Sequence, residues 1–268
     1  MLTINDLDNF NKDDNFIYHY TNYNVAIENI LSSNTLLFNK VRKMNDPLEF
    51  ENFIHAASWN NEIPGEERTK LLNIGRESNN IVKNKIKICC FCVDTDISEH
   101  IDYIHCINKG YSRSRMWSQY ANGHRGICLI FNRVKLLEII KGKYENIFSE
   151  EIKYRNNLFN IFNFQDIEYE IARNMDAWEW VKRHKHEYLF YKVDDYKSEQ
   201  EYRIAVYSDN DDDNILIDFE DSLEGVILGV RFPDVYKVNI KNVMEAQNIP
   251  VFQIDWFYGK PSLDIISK

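Results

Sequence analysis

Between Ile86 and Val93 the chain reads IKICCFCV, a nearly continuous apolar run. A strand with that pattern is buried on both faces and belongs in the middle of a sheet. Further strands are expected at Phe16 to Thr21 (FIYHYT), Thr35 to Phe38, Gly126 to Phe131, Tyr144 to Tyr154, Glu201 to Tyr207, Leu223 to Val230 and Val251 to Tyr258, all rich in β-branched and aromatic residues. Helices fall between them. Asn22 or Asn24 can cap a helix carrying Val25, Ile27, Ile30 and Leu31 at helical spacing, and Arg113 to Ala121 reads as a short helix ended at Asn122-Gly123. Asp46 as N-cap, Pro47 at the first helical position and Glu49 at the third make a capping box. Phe164 to Tyr191 has helical stretches with Trp178, Val181 and Tyr188 as core contacts. Strands and helices mix without regular βαβ alternation, which predicts an α+β fold of mixed, largely antiparallel sheets flanked by helices. The Gly-poor junctions speak against a Rossmann or Walker phosphate loop.

Composition narrows the setting. The 268 residues fit a single α+β domain over 1–268, with 14% aromatic residues to fill a large core. A formal net charge of -10 repels phosphate backbones, so nonspecific nucleic-acid binding is not expected, although a local basic cleft is compatible with it. The start MLTINDLDNF lacks a basic and an apolar segment, so no signal peptide is expected, and no apolar run is long enough to span a bilayer. Five cysteines, an odd number, fit a reducing compartment. The cytoplasm is the expected location.

Three segments carry a resemblance: VRKMNDPLEF (Val41 to Phe50), RMWSQYANGHRGICLIF (Arg115 to Phe131) and YKSEQEYRIAVY (Tyr196 to Tyr207). They hold Asn45-Asp46-Pro47, then Trp117 with Tyr120 and Gly126, then Lys197 with Glu201 and Arg203. In that order the chain resembles domain-of-unknown-function family 2971, with a family-like core over about residues 17–229 and a C-terminal strand extension. More distantly, Tyr18-His19-Tyr20-Thr21 followed by a helix resembles the first motif of ADP-ribosyltransferase-like proteins. That likeness implies a histidine on the first strand, a tyrosine in a middle motif and a glutamate on a late strand: His19, Tyr120 and Glu201. It also implies NAD as substrate, a nucleotide-like ligand and an unidentified acceptor macromolecule; from the residues themselves, no metal and no membrane partner are expected. A bacterial toxin or phage-defence role is what such families suggest by analogy.

The residues themselves say more. In EYRIAVY, Tyr202, Ile204 and Val206 share one face while Glu201, Arg203, Ala205 and Tyr207 share the other. The apolar set is expected in the core and Glu201 with Arg203 on a polar side, cleft or solvent. Likewise His19 and Thr21 lie on one face of their strand, Tyr18 and Tyr20 on the opposite one. A fixed carboxylate stabilises the oxocarbenium-like transition state of nicotinamide glycosidic cleavage. That makes Glu201 the catalytic candidate, with Glu201→Gln expected to abolish turnover and keep the fold. His19 suits a ribose hydroxyl, Tyr120 a nicotinamide ring, and Lys197 with Arg203 a pyrophosphate. Thr21, Asn45, Asp46 and Trp117 complete the ligand-binding set.

Each of these has a structural alternative. Glu201 with Arg203 can be the charged face of an edge strand, His19 a hydrogen-bonded structural residue, Trp117 and Tyr120 core, and Asn45-Asp46-Pro47 a helix cap. A non-catalytic nucleotide sensor or an interaction protein on the same fold is therefore the competing reading, and a metal-dependent nuclease built on Asp46, Glu49 and Glu201 ranks last. Cys89 and Cys92 have CxxC spacing, with His100, His105 and Cys106 downstream, but on a strand they point to opposite faces, so buried thiols are favoured over a zinc site. The acidic turn Asp209 to Asn214 lacks calcium-loop features, and Lys182 to His186 reads as a solvated basic face.

Overall fold

The computed structural model describes residues 15–44, 65–95, 107–156, 174–210 and 214–267. Its strands are β1 (Phe16–Thr21), β2 (Thr35–Lys40), β3 (Ile86–Cys92), β4 (Ile127–Asn132), β5 (Ile147–Glu151), β6 (Lys153–Arg155), β7 (Tyr191–Val193), β8 (Glu201–Tyr207), β9 (Asn214–Asp218), β10 (Leu223–Leu228), β11 (Val251–Phe257) and β12 (Lys260–Ser267). Ten of them form one sheet, in which β12-β11-β10-β4-β1-β3-β2-β9 follow one another, β8 joins β3 and β5 joins β8. Every pairing in it is antiparallel except β10 with β11. The expected mixed α+β class with a largely antiparallel sheet is what the described residues form. The capping-box turn at Asn45-Asp46-Pro47, with Glu49, and residues 211–213 of the acidic turn lie outside them. So does the first part of the helical stretch expected over Phe164 to Tyr191, whose described part holds two short helices, Ala177–Arg183 and Lys185–Leu189.

β3 is the branch point. Along one edge it pairs with β8 from Ile86 to Cys92. Along the other, β2 holds only Lys87 and Ile88, and β1 holds only Cys92. The sheet therefore splits between β1 and β2, with Cys89 to Phe91 at the fork. β8 is flanked by β3 and β5, so it is an interior strand, which overturns the edge-strand reading of Glu201 and Arg203. Both of its faces are buried from Glu201 to Val206.

One face of the sheet carries the largest core, where Ile17, Phe38, Phe91, Leu129, Phe131, Tyr202 and Ile204 meet side chains of the helices Arg133–Lys141 and Asp234–Glu245. The opposite face carries two separate cores. One gathers Ile86, Ile88 and Ala205 under the helix Gly65–Lys85 and Trp180, Val181 and Leu189. The other gathers Tyr18, Tyr20, Cys92 and Cys128 under Tyr111, Met116 and Trp117. The helix Gly65–Lys85 buries Leu71, Ile74, Ser78 and Val82 along one stripe, with Glu66 and Glu67 in its first turn and Lys83 and Lys85 in its last, matching the helix dipole. The expected helix after Asn22 forms as Tyr23–Val25 running into a π-helical turn, Ala26–Leu31, with the Asn22 side chain accepting from the Asn24 amide. No helix among the described residues is long and apolar enough to cross a membrane.

Candidate functional site

At the fork, between the two smaller cores, lies a cavity of about 400 Å³. β1 and β3 contribute its floor, and β2, the helix Ser114–Gln119 with Tyr120, and the stretch from Lys192 to Glu201 contribute its walls. That volume is in the range of small-molecule sites. His19, Tyr120 and Glu201 all line it.

Register explains how Glu201 arrives there. Tyr18 stands opposite Cys92, and Cys92 opposite Glu201, so the three lie in one row across β1, β3 and β8 and share a face. The Glu201 carboxylate is buried and accepts from Lys192 Nζ at 2.9 Å and from Arg203 Nη2 at 3.2 Å, with a further contact from Arg203 Nε. Burial alone would raise its pKa. The guanidinium of Arg203 and the ammonium of Lys192 outweigh that and lower it to about 2. Glu201 is thus an ionised carboxylate at neutral pH.

Lys192 ties in a second carboxylate, Glu199, at 2.9 Å, and the Tyr120 hydroxyl donates to the other Glu199 oxygen at 2.7 Å. Glu199, Lys192, Glu201 and Arg203 are all buried. Two positive and two negative side chains balance, which is how such a cluster is tolerated away from water. Burial first, and then Glu199, push the Tyr120 hydroxyl well above the ordinary phenol range, so it remains a donor. With that hydroxyl anchored, the ring is held in the cavity wall. The Glu201 amide donates to Tyr154 Oη at 2.9 Å, and Lys192 sits 4.4 Å from the centre of the Tyr196 ring.

His19 comes from the other face. It lies between Tyr18 and Tyr20 on β1, pairs with Leu129, and packs its ring 5.6 Å from that of Phe91 in the large core. Its Nδ1 is 2.9 Å from the Cys90 carbonyl, at the fork between β2 and β1. The imidazole thus stands in for a missing strand neighbour, which gives His19 a structural task. A carbonyl can only accept, so Nδ1 carries the proton and Nε2 is the acceptor. Burial lowers the His19 pKa, favouring this neutral form.

The remaining sequence candidates divide. Trp117 is fully buried, donates Nε1 to the Tyr111 carbonyl at 2.7 Å and meets Tyr20 edge-on; it is core and does not line the cavity. Thr21 is buried at the end of β1, against Ile127, and is also outside the lining. Arg203 is locked to Glu201 and to the Leu189 carbonyl at 3.0 Å, and Lys197 is exposed away from the cavity. Neither is placed for a phosphate. Asn45 and Asp46 lie outside the described residues. Cys89 and Cys92 do face opposite sides, one in the large core and one beside Tyr18, and burial pushes both thiols far up; His100, His105 and Cys106 lie outside the described residues. The basic face is not simply solvated, because Lys185 and His186 both reach Glu150, each at 2.9 Å.

Strand pattern alone does not single out Glu199 and Lys192. Glu199 ends the turn Asp194–Glu199 and is joined to β8 by Gln200 in a left-handed conformation (φ 45°), so strand alternation does not reach back to it. Residues 116–204 match the model of a family described as Protein of unknown function (DUF2971). That span contains Tyr120, Lys192, Glu199 and Glu201 and leaves out β1 to β3. No curated protein and no solved structure matches the chain.

Proposed function

We propose that the cavity at the fork binds NAD and that Glu201 assists cleavage of its nicotinamide glycosidic bond, with transfer of ADP-ribose to an acceptor. The observation that carries this reading is an ionised Glu201 lining the same cavity as the anchored Tyr120 ring and the His19 imidazole. In this reading the Tyr120 ring stacks on nicotinamide and His19 Nε2 accepts from a ribose hydroxyl. The Glu201 carboxylate accepts from the hydroxyl beside the reacting carbon and stabilises positive charge as the carbon–nitrogen bond breaks. Nicotinamide departs with the bonding electron pair, and an acceptor nucleophile or water attacks the same carbon and loses a proton. Incubation with NAD, followed by chromatography, tests it. Nicotinamide release that Glu201→Gln abolishes is expected; no release by the native chain would sink the catalytic reading.

One observation favours a second reading, a nucleotide sensor without turnover. Lys192 and Arg203 already neutralise the charge cluster, which weakens the field Glu201 can offer a developing cation. A sensor would show an NAD-induced rise in melting temperature with no nicotinamide formed.

A further inference from the structure

The run of strands from β12 to β9 ends differently on its two sides. β12 carries Lys260, Pro261 and Asp264, residue types that keep an edge from pairing further. β9 reads NILID, with neither proline nor lysine, and among the described residues it pairs with β2 alone. One bond fixes which way its backbone faces. The Phe219 amide donates to the Asn34 carbonyl at 3.1 Å, one step beyond the pair Asp218 and Thr35. By alternation Ile217 and Ile215 also turn their amides and carbonyls toward β2, and Asn214, Leu216 and Asp218 turn theirs outward.

The side chains add a second feature. Leu216 stands opposite Leu37 in a pair of the closely approaching kind, and the two are 62% and 41% exposed. Their strand neighbours Ile217, Leu36 and Phe38 belong to the large core. The two leucines therefore lie on the other face, the one that holds the cavity, and Leu37 lines it. β9 thus offers an outward row of main-chain groups beside an apolar seat.

We infer that β9 is a docking edge, which takes an extended basic segment of a partner protein as an added strand with an apolar side chain seated on Leu216 and Leu37. Strand addition of this kind draws affinity from main-chain bonds and specificity from alternate side chains. Charge selects the occupant. From Asp209 to Asp221 the sequence holds seven acidic residues and no basic one. Glu220 and Asp221 meet Lys143 and Lys135, while Asp218 at one end of β9 and Asp209 ahead of the other set the sign there. A second copy would bring this acidic stretch against itself. A segment with lysines on either side of an apolar centre is attracted at both ends. The inference does not rest on the NAD reading.

Fluorescence anisotropy with a labelled peptide, Lys-Lys-Val-Thr-Val-Thr-Val-Lys-Lys, tests the edge. The native chain should bind it, and several-fold more weakly when salt rises from about 50 to about 300 mM. Proline in place of both threonines keeps the charge but removes strand pairing, and should weaken binding ~10-fold or more. Leu216→Pro deletes an amide that points outward and no bond to β2, and should weaken the parent peptide by ~10-fold or more. Leu216→Thr keeps a strand-forming residue and removes the apolar seat, and should weaken it by about threefold with the melting temperature retained. Three results overturn the docking edge: no binding by the native chain, equal binding by both variants and the native chain, or equal binding of the proline peptide. Dimers of the native chain in sedimentation that Leu216→Pro turns to monomers would give the edge to a second copy and overturn the partner reading.

Discussion

At the scale of single residues, Glu201 joins stability to chemistry. Its carboxyl is held below the range it has in an unfolded chain, so its contribution is full above about pH 4.3 and is lost as pH falls toward about 2. Urea midpoints measured from pH 5 to pH 2.5 should show that loss, and Glu201→Gln should flatten it. The substitution does more than the sequence suggests. It leaves Lys192 and Arg203 facing one carboxylate in a buried site, at a cost of about 3–5 kcal/mol, so the variant should unfold at distinctly lower urea than the native chain. His19 works in a different window. Its lowered pKa means that an unfolded chain takes up a proton below about pH 6.5 that the folded imidazole resists. Stability should fall between pH 7 and 5.5, and His19→Asn should remove part of that slope, to which His124 also contributes because its pKa is lowered too.

At the scale of elements, strands with concentrated aromatic and β-branched residues are legible in the sequence: FIYHYT and EYRIAVY form β1 and β8 with the expected bounds. The helix Gly65–Lys85 is not, because its buried stripe is thinned by Gly75 and Ser78 among Asn, Arg and Glu. Nor is β12, where Pro261 suits a strand at the edge of the sheet but interrupts the pattern that would announce one. The candidate site is legible in part for the same physical reason. Alternation along β8 points to Glu201, but nothing in the polar stretch Asp194 to Glu199 signals that Glu199 and Lys192 are buried together. The turn after the helix Ser114–Gln119 shows how tightly one wall is fitted. A methyl group on Gly126 would lie 2.2 Å from the Thr21 carbonyl oxygen and 2.7 Å from Ala121 Cα. Both are backbone atoms that cannot step aside, so Gly126→Ala should cost at least about 2 kcal/mol in urea unfolding and should disturb β1 beside His19.

At the scale of the whole molecule, the sheet has one continuous core on one side and two on the other, with the cavity between the two. A ligand seated there touches side chains of both. At 100-fold excess over its dissociation constant it should add about 2.7 kcal/mol to stability. Hydrogen exchange should slow at Cys89 to Phe91 and at Met116 to Tyr120 together; slowing confined to one of the two segments would contradict a ligand spanning the cavity. The fork in β3 has a mechanical consequence. Since β1 and β2 each grip only one end of that strand, no ladder sets their separation there; the imidazole on the Cys90 carbonyl and the core shared by Ile17 and Phe38 hold it instead.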